Sequence, residues 1–177
     1  MSNKGPIKQS TTASIAFRWT YILFPLIILF LTLAVTVYFY RLLPADVAYH
    51  FKTDGSPDKW LGRGAIVLIA ILPQLFFTLL AWIVTWGITR LLARYKEFKS
   101  TGIKAESILL IMGNMVALPQ LILFFAMLDI FSYNSYQIHL FPLRVLILIV
   151  LALGSVILVI FFIRTMSKIL RTSIKEQ

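Results

Sequence analysis

The stretch His50 to Gly64, HFKTDGSPDKWLGRG, gathers most of the side chains in this chain whose types and spacing could do chemistry. His50, Asp54 and Asp58 recur at intervals of four. An imidazole and two carboxylates are ligand types that a divalent metal accepts, and paired carboxylates with separated pKa values are what general acid/base hydrolysis requires. A four-residue interval would align all three on a helix, but Asp54-Gly55 and Pro57 each interrupt one there. No second histidine or fourth ligand accompanies them, and the loop from residue 41 to 64 is too short to shape a pocket around a catalytic pair. The expectation is therefore no metal, no cofactor and no enzyme activity. His50 and the aspartates are expected to bond the loop's own backbone, as Asx turns do, with His50 also placed to titrate in an acidic exterior.

Two further sets of polar residues lie outside that loop. Leu72-Pro73-Gln74-Leu75 and Leu118-Pro119-Gln120-Leu121 repeat one tetrapeptide in two apolar stretches. Counted from the same membrane side, Gln74 and Gln120 fall about 14 to 15 Å deep at the standard helical rise, so they are expected to face each other near the midplane. Each proline frees the carbonyl four residues earlier, at Ile69 and Met115, and kinks its helix. The amides then serve as interhelical glue or, with Asn114 and a seam of Thr78 and Thr85, as a polar midplane site of the kind broken helices form in transporters. No ionisable residue lies near the middle of a span, which argues against ion-coupled transport. Asp129 and Arg144 are expected to pair across the short third loop or, as the sharper alternative, to help hold the first loop.

The elements that must position these residues are membrane spans. Of 177 residues, 59% are hydrophobic and 14% charged, far from the balance of soluble domains. Four stretches, near Phe17 to Tyr40, Ala65 to Thr89, Ile108 to Ile130 and Phe141 to Ile163, are each long enough to cross a bilayer core of about 30 Å. Backbone groups in lipid must be satisfied internally, so the expected fold class is all-α integral membrane: an antiparallel four-transmembrane-helix bundle with a structured external loop between helices 1 and 2. The net charge of +10 would suit nucleic acid, but the basic residues cluster at the ends of the spans. Placing both termini inside puts twelve Lys and Arg inside against five outside, the favoured orientation. Loop 41 to 64 is then external, and the partners expected are the lipid bilayer and a peptide or membrane protein, not nucleic acid. The first span lacks a cleavage site and is expected to be retained. Tyr38, Tyr40, Trp60, Phe131, Tyr133 and Tyr136 read as an aromatic belt at one interface, and Trp86 and Tyr95 at the other. Zero cysteines leave the loop to be held by turns, caps and packing.

Within the loop, Leu43-Pro44 stops the first helix, Asp54-Gly55 is a turn with glycine supplying a positive φ, and Ser56-Pro57-Asp58 reads as a second turn. The segment LPADVAYHFKTDGSPDKWLGRG, Leu43 to Gly64, resembles the front domain of unknown function of the SdpI-like bacterial membrane proteins. Leu43, Pro44, His50, Phe51, Gly55, Pro57, Asp58, Trp60 and Arg63 carry the resemblance, which covers about the first 90 residues. It implies a prokaryotic cytoplasmic-membrane protein with residues 1–92 as a stand-alone front domain and residues 93–177 as a second helix pair and basic tail in the same bundle. It also implies a role like that of the best-known members, which protect a producing cell from its own exported toxic peptide and signal its presence. The binding surface would be His50, Phe51, Asp54, Gly55, Pro57, Asp58, Trp60 and Arg63. An accessory subunit of a larger complex and a small transporter using the midplane amides are the other two readings.

Overall fold

In the computed structural model of this chain, residues 17–94, 105–140 and 143–175 are described. A 3-10 turn, Trp19–Ile22, leads into α1, Leu23–Tyr40; two strands follow, β1 at Asp46–Phe51 and β2 at Pro57–Gly62. Then come α2, Arg63–Arg94, α3, Ala105–Met115, α4, Ala117–Tyr136, and α5, Leu143–Lys175. Four segments are long and apolar enough to cross a membrane: Trp19–Tyr40, Arg63–Leu91, Glu106–Tyr136 and Ile147–Arg164. The third is α3 and α4 in succession, parted only at Val116. Its break follows from Pro119, which has no N–H for the Met115 carbonyl and whose ring crowds it. Helix α2 runs unbroken through Pro73.

The expectation of an all-α fold needs correction. β1 and β2 form an antiparallel two-stranded sheet. Asp46 pairs with Gly62, Val47 with Leu61 and Ala48 with Trp60. Two irregularities then leave out Tyr49 on one strand and Asp58 on the other, so that His50 pairs with Lys59 and Phe51 with Pro57. Of the second expected turn, Ser56-Pro57-Asp58, the last two residues instead open β2, with Asp58 left out of the pairing.

Helix packing follows a stripe of small and polar side chains. On α2 the buried positions are Ile66, Ala70, Gln74, Thr78, Ala81, Thr85 and Thr89, recurring at three or four residues along one face. Small residues let helix backbones approach where lipid offers no hydrophobic drive. Thr78, Thr85 and Thr89 each donate to the carbonyl four residues earlier, at 2.8, 2.7 and 2.6 Å, which satisfies a hydroxyl that has no water to meet. Helix α1 packs on α2 and α4, and α2 on α4. The main apolar cluster lies at the hairpin end and joins helix, loop and strand: Phe39 of α1, Leu43 just past it, Val47 of β1, Ile66 and Ala70 of α2, and Met127 and Phe131 of α4.

Candidate functional site

The hairpin is built from its tip outward. Gly55 adopts φ +84°, the left-handed geometry that glycine adopts without strain, and its N–H bonds the Lys52 carbonyl at 3.0 Å to close the turn. The Asp54 carboxylate accepts the Ser56 amide at 2.9 Å and the Ser56 hydroxyl at 2.7 Å. Those bonds to Ser56, the backbone one foremost, hold the Asp54 carboxyl below its ordinary range. Lys52 N–H donates to the Ser56 carbonyl at 2.9 Å and closes the loop behind it. His50 and Asp58 sit together across the strands, Nδ1 to Oδ2 at 3.0 Å. Thus Asp54 and Asp58, both expected to bond the loop's own backbone, have separate duties: one shapes the turn and the other ties strand to strand. Among the described residues no group of three or more metal-ligating side chains comes together.

Three contacts fasten this hairpin to the helices. At its base, Arg63 donates from Nη1 to the carbonyls of Tyr40 at 3.3 Å and Leu43 at 3.2 Å, with its guanidinium 5.1 Å from the Tyr40 ring centre. The last carbonyls of a helix lack intrahelical donors and carry partial negative charge; Arg63 supplies both what they lack in bonding and the opposite charge. Along β1, the Asn134 side chain of α4 grips one residue twice: its Oδ1 accepts the Ala48 amide and its Nδ2 donates to the Ala48 carbonyl, both at 2.8 Å. This amide does for the edge of β1 what a third strand would do. It follows that Ala48 and Trp60 form a pair without mutual hydrogen bonds; the Arg63 N–H bond to the Ala45 carbonyl at 2.9 Å, three residues on, fits the same alternation. Near the tip, Phe51 meets the rings of Tyr133 at 4.7 Å and His139 at 4.8 Å, edge to face.

The β2 strand is open to its surroundings. Asp58, Lys59 and Trp60 are exposed on β2, Trp60 at 54%. Pro57, the Asp58 bulge and Lys59 are features that blunt an edge against strand pairing, so β2 presents side chains rather than a backbone template.

The two glutamines meet as their level positions predict. Gln74 Nε2 donates to the Gln120 carbonyl and Gln120 Nε2 to the Gln74 carbonyl, each at 3.0 Å, and Gln120 Nε2 also reaches the Thr78 hydroxyl at 2.9 Å. Both side chains are fully buried. Asn114 does not join them. Its Oδ1 accepts the Phe24 amide at 2.9 Å and its Nδ2 donates to Thr20 at 3.0 Å and Leu110 at 2.8 Å, so it fixes α3 to the start of α1.

Asp129 ties down the segment just past α4. It bonds His139, Oδ2 to Nδ1 at 3.0 Å, and its Oδ1 accepts the Leu140 amide at 2.6 Å; the Arg144 side chain lies outside the described residues. Sequence reasoning also missed Asn134 and His139. The signal they offered was position: one amide in an otherwise aromatic and small-residue run, FSYNSY, and a histidine just past it, both at the end of the third span that the loop shares.

Comparison with known proteins bears on this same region. No curated protein and no solved structure matches the chain. Residues 27–72, about a quarter of the chain, match the family described as Domain of unknown function (DUF1648). The chain is thus similar to that family from within α1, through the whole hairpin, to the start of α2, while the α4 residues that hold the hairpin lie beyond the match.

Proposed function

We propose that this is a non-enzymatic multi-pass protein of a prokaryotic cytoplasmic membrane whose hairpin binds or senses a peptide or partner protein, in an immunity or signalling role of the SdpI-like type. Its four spans form one antiparallel bundle, with both termini cytoplasmic and the hairpin outside. The observation that carries this reading is the difference between the hairpin's two strands. The β1 edge is held to α4 through Asn134 and the base to the end of α1 through Arg63, while β2 leaves Asp58, Lys59 and Trp60 exposed. Preorganised aromatic and charged side chains are what a binding surface uses. The family match over the hairpin is consistent with it.

The test is survival. Expressed in a host killed by exported toxic peptides, the parent chain should protect against at least one peptide of a panel, and Asp58→Ala and Trp60→Ala should lose that protection at equal expression. Failure of the parent chain to protect against any of them overturns the immunity role.

A second reading, an accessory subunit of a larger membrane complex, draws on α5. Only 11% of its span is buried, against 39% for the first, and among the described residues its stronger helix packing is against α4. A stable stoichiometric partner copurifying in mild detergent, and lost on substitution of exposed α5 residues such as Leu148 and Leu151, would favour that reading.

A further inference from the structure

His139 stands where the hairpin tip meets α4, and both of its ring nitrogens face acceptors. Nδ1 lies 3.0 Å from the Asp129 carboxylate and Nε2 lies 3.4 Å from the Gly55 carbonyl. A neutral imidazole has one N–H, so it satisfies one of these and turns a lone pair on the other; only the imidazolium donates to both. The Asp129 side chain is 14% exposed, so its carboxylate is held against the ring with little water around it. Tyr133 stacks on the ring at 4.6 Å and Phe51 presents its edge at 4.8 Å. The other charged groups are few. On the hairpin, Lys52 and Asp54 precede Gly55 in the turn, the latter engaged by Ser56; His50 and Asp58 bond each other further along the strands. On α5, Arg144 lies outside the described side chains.

We propose that His139 is a proton-dependent clasp, fastening the hairpin tip to α4 when protonated and releasing the Gly55 carbonyl when neutral. The sign follows from the bonds: docking is tightest at acidic pH, where both bonds are made, and weakens as pH rises through the range of about 5 to 8 in which histidines change charge. The base of the hairpin, held by Arg63 and Asn134, stays in place throughout. The device therefore loosens the tip without undoing the sheet, and it holds whether or not the hairpin binds a peptide.

The experiment is amide hydrogen exchange of the full chain in lipid nanodiscs between pH 5 and 8, corrected for the intrinsic pH dependence of exchange. Protection of residues 52–56 should fall about 2- to 10-fold from acid to base, the worth of one weak hydrogen bond, while that of Val47 and Ala48 stays constant. In His139→Gln, which keeps a neutral donor, the pH dependence of the tip should vanish; in His50→Gln it should remain. A tip whose protection does not change with pH in the parent chain, or one that still changes in His139→Gln, overturns the proposal. Asn134→Ala serves as the control that loosens β1 at every pH alike.

Discussion

Asn134 uses a single side-chain amide to hold the backbone of Ala48 at both its donor and its acceptor, and Nδ2 reaches the Ile130 carbonyl of its own helix as well. Each bond has a modest net worth, but losing the amide leaves two backbone groups of a buried residue unpaired. Asn134→Ala should therefore cost about 1–3 kcal/mol at the hairpin, read as faster exchange at Val47 and Ala48 with the helices unaffected. Asn134→Asp, which keeps the acceptor and loses the donor, should fall between. This contact could not be read from the sequence, because Asn134 and Ala48 are 86 positions apart and an asparagine carries no mark of which backbone it will meet. Gln74 and Gln120 were legible for the opposite reason: two identical tetrapeptides at equal depth leave a buried amide one obvious partner. His50 and Asp58 were marked as loop-shaping residues, and they do bond within the hairpin, though to each other rather than to its backbone.

At the scale of elements, the helices were readable because apolar run length alone specifies a span. The hairpin was not. Pro57, Asp58, Lys59 and Gly62 are poor strand formers, and two bulges break the alternation that would have betrayed a strand. What makes these residues a strand is tertiary: the turn at Gly55, Arg63 at the base and Asn134 on the far edge. The break between α3 and α4 was half legible, since Pro73 and Pro119 promise equal kinks and the helix is interrupted only near Pro119. The difference lies in what surrounds it. Asn114 is tied to Thr20 and Phe24, and Gly113 crosses so close to the 3-10 turn that a Cβ there would collide with the Tyr21 carbonyl, and with the Thr85 methyl at 2.6 Å. The collision with Tyr21 is with backbone, which cannot rotate away. Gly113→Ala should destabilise the chain by about 1–3 kcal/mol through overpacking, seen as a lower melting temperature in detergent, whereas Gly87→Ala, with nothing within 4 Å, should not.

For the whole molecule, the positive-inside count makes a definite expectation of sidedness, and the absence of cysteine makes it simple to check. In intact cells a membrane-impermeant maleimide should label Thr53→Cys at the hairpin and spare Leu91→Cys at the other end of α2 until the cells are opened. The reverse pattern would place the hairpin in the cytoplasm and remove the proposed encounter with an exported peptide. Near that other end Trp82 and Trp86 stack at 6.1 Å, and the Arg90 guanidinium sits 4.1 Å above Trp86, a column of aromatic and cationic groups suited to a headgroup layer. Between the two ends the helix is continuous through Pro73. β2 finishes at Gly62 and α2 begins at Arg63, so the strand that carries Trp60 is welded to a rod of 32 residues, about 48 Å long at the helical rise. Such a helix leaves no loop between the strand that carries Trp60 and the end that carries Trp86 and Arg90 to take up a displacement of β2.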